Sequence, residues 1–557
     1  MEPLILFKKA WFEHPEWWFE TRLETDLYLT QKYGHWLEES LMDYSWDWTK
    51  ETLIAWILLY DQLPRHIARA TSKNTIYTYL AKAVGLVQLV IEDGFKSFFP
   101  MEQFTGEEFG FLMLPLRHTY DCKMTYLAMK YMWEKMETDK KQSQHKYVEQ
   151  LKPFLKATYK RCPMLPLDPK DSYTYTDYFQ VFKEKEINTN TDNSVPVSST
   201  PLFQWDKHKS VIAYTPEFMF EGERQSVDDD WINGWKIPTQ ADTTIVSLSG
   251  GVDSMVLLWI LIKKYRLNPV AVYINYCNRD DDEERFIRDW CHYLNVTLYV
   301  RRIREIQRVP AMAFELREVY ETYTRNCRFH AYHQVHTEQP QLSTRPFVAM
   351  GHNQDDCFEN ILTNICQKQK YDNLRGMTTL METNGIEFWR PMLHIPKYKI
   401  YNFAQKNTIP YVCDSTPKWS CRGKIRDVVR PTLEQYHSTM IPAFFHLSQT
   451  LSELTQYMEH FSEILYKKTQ DAVLKVALAD YPVSLWTTTQ LWQRYFQKYG
   501  SFCPSHRSLC HLCERMTNLL DTNKTKVRLN VVLKKGYSVT VEKSDSMLTF
   551  TFITQTS

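Results

Sequence analysis

Two short stretches carry residue types on which chemistry could be built: Ser249-Gly250-Gly251-Val252-Asp253-Ser254 and His352-x-x-Asp355-Asp356-x-x-Glu359. In the first, two glycines permit a tight turn, and the backbone N–H groups of the loop and first helical turn, that of Val252 among them, form an anion cradle. The hydroxyls of Ser249 and Ser254 and the positive end of the following helix dipole would surround a phosphate chain. Asp253 is anionic like the phosphates, so its fitting task is to help hold Mg²⁺ or to orient the loop. In the second stretch, Asp356 and Glu359 lie three apart at a helix start and share one helical face, where they could hold and deprotonate an ammonium. The plainer alternative is a pair of first-turn acids that complement the helix dipole.

The flanking patterns say how these residues would be positioned. A β-rich run ends at Leu248 and an apolar run follows from Met255 to Ile262, which reads as strand, loop and helix. Val270 to Tyr276 reads as a second strand, Asp282 to Leu294 as an amphipathic helix, and Val296 to Val300 as another strand. Phe347 to Met350 then leads into the acidic stretch and repeats the strand-turn-helix order. This alternation, from about 238 to 435, predicts an α/β core with a doubly wound parallel sheet. In such sheets the carboxyl ends of the strands share one crevice, so the acidic turn is expected to face the glycine loop.

No Gly-Lys-Ser/Thr follows the glycines, which separates this loop from that of the common NTPases. It resembles instead the Ser-Gly-Gly-x-Asp-Ser pyrophosphate loop (PP-loop) of the N-type ATP pyrophosphatases. Those enzymes break ATP between the α and β phosphates and adenylate a carbonyl oxygen. The acidic stretch, with Asn360, resembles the His-x-x-Asp-Asp-x-x-Glu-Thr motif of the bacterial tRNA(Ile)-lysidine synthetase family. Further segments fall in that family's order over about 238–557: Tyr273-Ile274-Asn275-Tyr276, Arg325-x-x-Arg328-Phe329, Leu374-Arg375-Gly376-Met377, Arg390-Pro391-Met392, Asp414-Ser415-Thr416-Pro417 and Arg422-Gly423-Lys424-Ile425-Arg426. Departures are Asn360 for Thr, Thr416 and Pro417 for Ser and Asn, Gly423 for Asn, and Tyr276 for His, which touch fine geometry more than reaction class.

The resemblance implies adenylation of a tRNA wobble cytidine followed by attack of lysine, with ATP, Mg²⁺, lysine and a tRNA, expected to be tRNA(Ile) with a CAU anticodon. It implies Asp253, Arg328, Asp356 and Glu359 as catalytic residues and Ser249 to Ser254 as the ATP-binding loop, with Mg²⁺ at Asp253. His352, Asp355, Arg325, Arg422 and Arg426 would bind substrate. Two rivals are a tRNA thiolase, for which Cys357, Cys413 and Cys421 are candidates, and a tRNA-binding or scaffold protein without activity.

With 557 residues the chain is too long for one core, and a net charge of +1 neither demands nor excludes nucleic acid. No apolar run reaches bilayer length, and twelve cysteines lack framework spacing, so a cytoplasmic protein with reduced thiols and no membrane is expected. Residues 1–160 read as an all-α domain. Trp17-Trp18-Phe19, Leu59-Tyr60-Asp61-Gln62-Leu63-Pro64-Arg65 and Leu114-Pro115-Leu116-Arg117-His118 resemble signatures of an uncharacterised bacterial family with a tetratricopeptide-like fold, over about 10–125. There the aromatics are expected to be packing core, with Arg65 and His118 meeting buried polar partners, although a concave face would suit a protein partner or RNA.

Residues 161–237 have a linker's composition, so two cores that could each fold alone are expected on either side. Residues 436–557 are expected to form a helical linker and a small α+β tRNA-binding domain. Its helices are expected to run to about Val473, from Leu485 to Phe496 and from Ser505 to Leu520, followed by strands. Lys524, Lys526, Arg528, Lys534 and Lys535 would suit an RNA backbone. Cys503, Cys510 and Cys513 could ligate Zn²⁺, but Cys510 and Cys513 equally suit the apolar side of a helix.

Overall fold

The computed structural model describes the chain except residues 1, 20, 39–48, 72–75, 97–98, 163, 165–229, 236, 238–243, 278–280, 340–344, 369–370, 413–419, 500–502, 523, 525 and 555–557. Most of the expected linker, Cys413 and the Asp414-Ser415-Thr416-Pro417 segment therefore lie outside the described residues. The chain divides into two compact units: Met1–Gly351 with Leu380–Pro391 and Tyr398–Cys413, and His352–Thr379 with Met392–Lys397 and Asp414–Ser557.

In the first unit, short β-branched and apolar runs form β1 (Ile245–Leu248), β2 (Val270–Asn275), β3 (Leu298–Arg302), β4 (Phe347–Met350), β5 (Leu380–Thr383) and β6 (Ile386–Trp389). They order as β3-β2-β1-β4-β6-β5. All neighbours pair in parallel except β5 with β6, and Ile245 of β1 sits opposite both Val270 and Val348. Strands β1, β2 and β4 are buried almost throughout, as a sheet covered on both faces requires. The doubly wound α/β core is as the sequence predicts.

The N-terminal part of this unit is all helical within the described residues. Gly106–His118 opens with a capping box between Thr105 and Glu108, each meeting the other's backbone N–H. It packs closely on His145–Arg161: a side chain at Gly110 would lie 2.5 Å from the Phe154 ring. Helix Lys50–Ile57 runs through a π segment, Leu58–Gln62, into Leu63–Thr71.

The helices and the sheet are not two separate cores. A single hydrophobic cluster runs from Phe7, Trp11 and Phe111 through Met136 and Tyr159 to Ile303, Tyr323 and Val348. Where they meet, Tyr126 and Tyr323 share a 2.8 Å hydroxyl contact, and Tyr159 donates to the Glu305 carbonyl at 2.6 Å. Tyr323 donates to the Glu305 carboxylate at 2.9 Å, and Arg301 pairs with that carboxylate. The Trp133 and Phe314 rings lie 5.8 Å apart. The linker composition between the two regions concealed a shared interior.

In the second unit a 29-residue helix, Met440–Lys468, precedes β7 (Val473–Ala477), β8 (Val527–Lys534), β9 (Tyr537–Lys543) and β10 (Met547–Thr554), an antiparallel sheet in the order β7-β10-β9-β8. The helix ends five residues before Val473, which begins a strand; Val473-Leu474-Lys475-Val476 alternates, and pairing with β10 buries Leu474 and Val476. The helix expected from Leu485 to Phe496 is two, Val483–Trp486 and Thr489–Tyr499. Cys513 is buried in this unit's core, while Cys510 Sγ lies 3.5 Å from His506 Nδ1. Lys524, Lys526, Arg528, Lys534 and Lys535 are exposed.

Candidate active site

The glycine loop joins β1 to the helix Val252–Lys263. Gly250 has φ +76°, and a side chain there would press on Ile287 and Val412 at 3.1 Å, so the turn itself requires glycine. The loop is tied down by Val412, whose N–H donates to the Gly250 carbonyl at 2.8 Å. Ser254 Oγ accepts from the Ser249 N–H at 3.1 Å and donates to the Gly251 carbonyl at 3.0 Å, which fixes the turn from within. Gly251 is the N-cap and supplies no side-chain cap. The start of this helix is the kind of place where backbone N–H groups receive an anion.

A side chain added at Gly251 would meet only Ser249 Oγ, at 3.5 Å, an ordinary contact. Packing does not demand this glycine; its absent side chain leaves the amides open, which fits a bound phosphate chain. Ser249 is exposed beside it, and Asp253 stands in the first turn, half-buried. Among the described residues no group of three or more His, Cys, Asp or Glu side chains is arranged to hold a metal. Mg²⁺ at Asp253 would thus take most of its oxygens from phosphate and water, the ordinary habit of that ion.

Sequence reasoning missed Gly351. A side chain there would fall 2.8 Å from the Asp253 carbonyl carbon and the Ser254 nitrogen, so the end of β4 touches the loop backbone directly. The signal was present: a glycine immediately after a buried strand that neighbours the loop strand. Arg328 and Arg325 lie on the helix Arg317–Glu338 of the same unit. Arg328 is half-buried near Tyr332, whose hydroxyl is 2.7 Å from Ser247 Oγ at the end of β1. Arg328 Nε is buried without an acceptor, whereas Arg325 is exposed.

The acidic residues belong to the second unit, on the helix Gln354–Cys366. Asn353 caps it, accepting from the N–H groups of Asp355 and Asp356 at 2.8 and 3.1 Å, and Asp356 Oδ2 accepts in return from the Asn353 N–H at 3.2 Å. One oxygen of Asp356 is therefore structural. The arginines meet these acids. Arg422 donates to Glu359 Oε2 at 2.9 Å and Asp356 Oδ1 at 3.0 Å, while Arg426 donates to Glu359 Oε1 at 2.9 and 2.7 Å. Arg430, which the sequence did not single out, pairs with Asp355. Arg430 also pairs with Glu434 at 2.9 Å, and Glu359 is only 3% exposed. The sequence reading gave these arginines to tRNA or ATP and the acids to an amine; in this state they occupy one another. His352 is half-buried at the start of this stretch.

Residues 227–433 match the family model described as a PP-loop domain. This segment is a PP-loop domain. Curated relatives include the tRNA(Ile)-lysidine synthase of Clostridium tetani, 24% identical over 42% of this chain and 49% of the relative. Another is that of Borrelia garinii subsp. bavariensis, 27% identical over 39% of this chain and 48% of the relative. The chain thus spans about half the length of the curated relatives it matches. Among solved structures, the U34-tRNA thiolase NcsA from Methanococcus maripaludis aligns with 38% of this chain and 72% of its own, at 18% identity and a TM-score of 0.32. Ahead of the PP-loop domain, residues 7–164 match a bacterial protein family of unknown function, DUF924. Among the described residues no helix is long and apolar enough to cross a membrane.

Proposed function

We propose that this chain is a cytoplasmic, ATP-dependent tRNA-modifying ligase of the lysidine type. The observation that carries the reading is the turn Ser249–Ser254, whose helix start has no side-chain cap, inside a PP-loop domain whose curated relatives are tRNA(Ile)-lysidine synthases. ATP and Mg²⁺ are the proposed co-reactants, with lysine and a tRNA(Ile) bearing a CAU anticodon as substrates. Bound ATP supplies the adenylyl group that turns the wobble carbonyl oxygen into a leaving group. The loop amides and Ser249 hold the departing pyrophosphate, Asp253 helps to hold Mg²⁺, and Arg328 offsets charge that builds on the phosphate or the activated base.

For the second step, Asp356 and Glu359 receive the lysine ammonium and take up its proton. Their present partner Arg422 has a side chain 55% exposed and is the group able to swing aside. His352 and Asp355 line the lysine path, while Arg325, Arg426 and the displaced Arg422 contact tRNA, with the exposed lysines of the C-terminal sheet. For the thiolase alternative, Cys357 is buried against Ile361 and Leu393 in an apolar cluster, where a thiolate is disfavoured, whereas Cys421 is exposed.

The test incubates the full chain with ATP, Mg²⁺, labelled lysine and the CAU-anticodon tRNA(Ile), then weighs the wobble nucleoside. Lysine incorporated at that cytidine supports the ligase. Sulfur in place of oxygen supports the thiolase, and no ATP-dependent change with any tRNA supports a binding protein.

A further inference from the structure

The proposed chemistry leaves unused a set of charged residues in the helical region. An open pocket of about 350 Å³ there is lined by Arg65, Arg69, His118, Tyr120 and Arg161. Three of these groups, Arg65, Arg69 and His118, are held from behind. Arg69 grips both oxygens of buried Asp26, at 2.8 and 2.7 Å, and His66 Nδ1 lies 2.6 Å from the same carboxylate. Arg65 donates to Asp61 Oδ1 at 3.1 Å. His118 places Nδ1 2.8 and 2.9 Å from the two Asp61 oxygens, and its Nε2 lies 2.8 Å from Arg117 Nη2.

That last contact decides what His118 can do. A guanidinium only donates, so Nε2 must accept and Nδ1 must carry the proton toward Asp61. Both ring nitrogens are spent and the ring is neutral; burial pushes its pKa down, against the pull of Asp61. His118 is a strut rather than a proton carrier. The pocket is instead built to bind.

Its charge is out of balance. Four arginines, Arg65, Arg69, Arg117 and Arg161, line or back it, against two carboxylates, Asp26 and Asp61. Arg117 is 6% exposed with Nε and Nη1 buried and without acceptors, and Arg65 Nε is in the same condition. Among the described residues Arg161 has no hydrogen-bond or ion-pair partner, yet it lines the pocket. Unmatched cationic donors in a buried setting are costly to keep. An excess of two positive charges, carried on planar forks from three helices, matches a dianionic oxyanion better than a carboxylate or a phosphodiester with one charge each.

We propose that this pocket binds a phosphate dianion, as inorganic phosphate or the terminal phosphate of a phosphomonoester. The site is separate from the PP-loop and does not depend on the reaction assigned there.

The experiment is calorimetric titration of inorganic phosphate into the full chain in low-salt chloride buffer. The PP-loop is saturated beforehand with α,β-methylene-ATP, which resists cleavage between those phosphates. One phosphate site should remain, and Arg161→Ala, which breaks no internal pair, should weaken it about tenfold or more while leaving the melting temperature in place. A dinucleotide RNA without terminal phosphate should bind far more weakly than its 5′-phosphorylated form. Absence of a phosphate site in the wild-type chain, equal affinity in Arg161→Ala, or equal binding of the two dinucleotides would each overturn the proposal.

Discussion

Two charged clusters in this protein use the same residue types with opposite results. In the acidic-helix unit, Asp355, Asp356 and Glu359 face Arg422, Arg426 and Arg430, three against three, and every carboxylate has a guanidinium partner. In the helical region, four arginines back and line a pocket against Asp26 and Asp61, and two of them carry buried donors without acceptors. Arg430 also pairs with Glu434, so no arginine of the first cluster is in excess without a ligand, and a substrate enters by exchange, displacing an arginine from an acid. The second is unbalanced without a ligand and gains by simple addition. Charge balance, more than residue identity, separates a site that swaps partners from one that waits for one.

That contrast can be broken most forcefully at Asp61. Burial works against its carboxylate, but the hydrogen bond from His118 and the charge of Arg65 prevail and hold it below the usual carboxylate range. Asp61→Ala should remove the main counter-charge from an unbalanced cluster and destabilise the fold by about 3–5 kcal/mol in chemical denaturation. A loss below about 1 kcal/mol would mean the arginines are already offset by something else. Next in size is a pH effect. Burial, then the Arg69 charge, lowers His66 from 6.5 to about 4, so the unfolded chain binds the extra proton between those values. Stability is fully present above about pH 6.5 and should fall by roughly 3 kcal/mol as the pH drops toward 4. Asp26, also depressed, adds a loss of the same sign in acid. His66→Gln should flatten that part of the profile, and an unchanged slope would place the titration elsewhere.

The balanced cluster should respond less. Glu359→Gln leaves two arginines facing an amide, but their side chains are 55% and 32% exposed and water can take over, so about 1–2 kcal/mol is expected. The same change should impair lysine capture far more than adenylation, so that adenylated tRNA accumulates in a single-turnover assay. Equal loss of both steps would remove Glu359 from amine handling. The smallest effect belongs to Arg161→Ala, expected within about 0.5 kcal/mol of the parent by denaturation, since an exposed arginine near other arginines stabilises little.

Residues close in the chain were the legible ones. Ser249 to Ser254 could be read as a turn because strand, glycines and helix stand side by side, and the parallel sheet followed from alternation. The pairing of Glu359 with Arg422 and Arg426 could not, because more than sixty intervening residues give no distance. Arg422 and Arg426, read as ligand-facing, pair with Glu359, and no pattern in a single sequence marks that. Tyr126, Tyr159 and Tyr323 looked like ordinary aromatics, and only the fold brings them to Glu305 and joins two regions that composition had separated. A fragment starting near residue 235 is therefore expected to aggregate, since it would bare Tyr323, Phe314 and Ile303. A soluble, cooperatively melting fragment would restore the two-core view. Val473–Ala477 went unread as a strand because five residues are too few for periodicity to decide.

Both clusters also contain a wide turn. Leu63 N–H reaches back five residues to the Leu58 carbonyl, and Arg430 N–H does the same to Ile425. Such a turn holds one residue more than an α turn, so it resets the angular phase of everything that follows. In each case an arginine follows: Arg65 and Arg69 in one helix, Arg430 in the other. Excising one residue from Ile425–Val429 would restore regular winding, rotate the downstream face by about 100°, and swing Arg430 off Asp355 while leaving Arg422 upstream untouched. Each cluster is thus indexed by a single extra residue, and a one-codon deletion would act on it as a dial rather than as a cut.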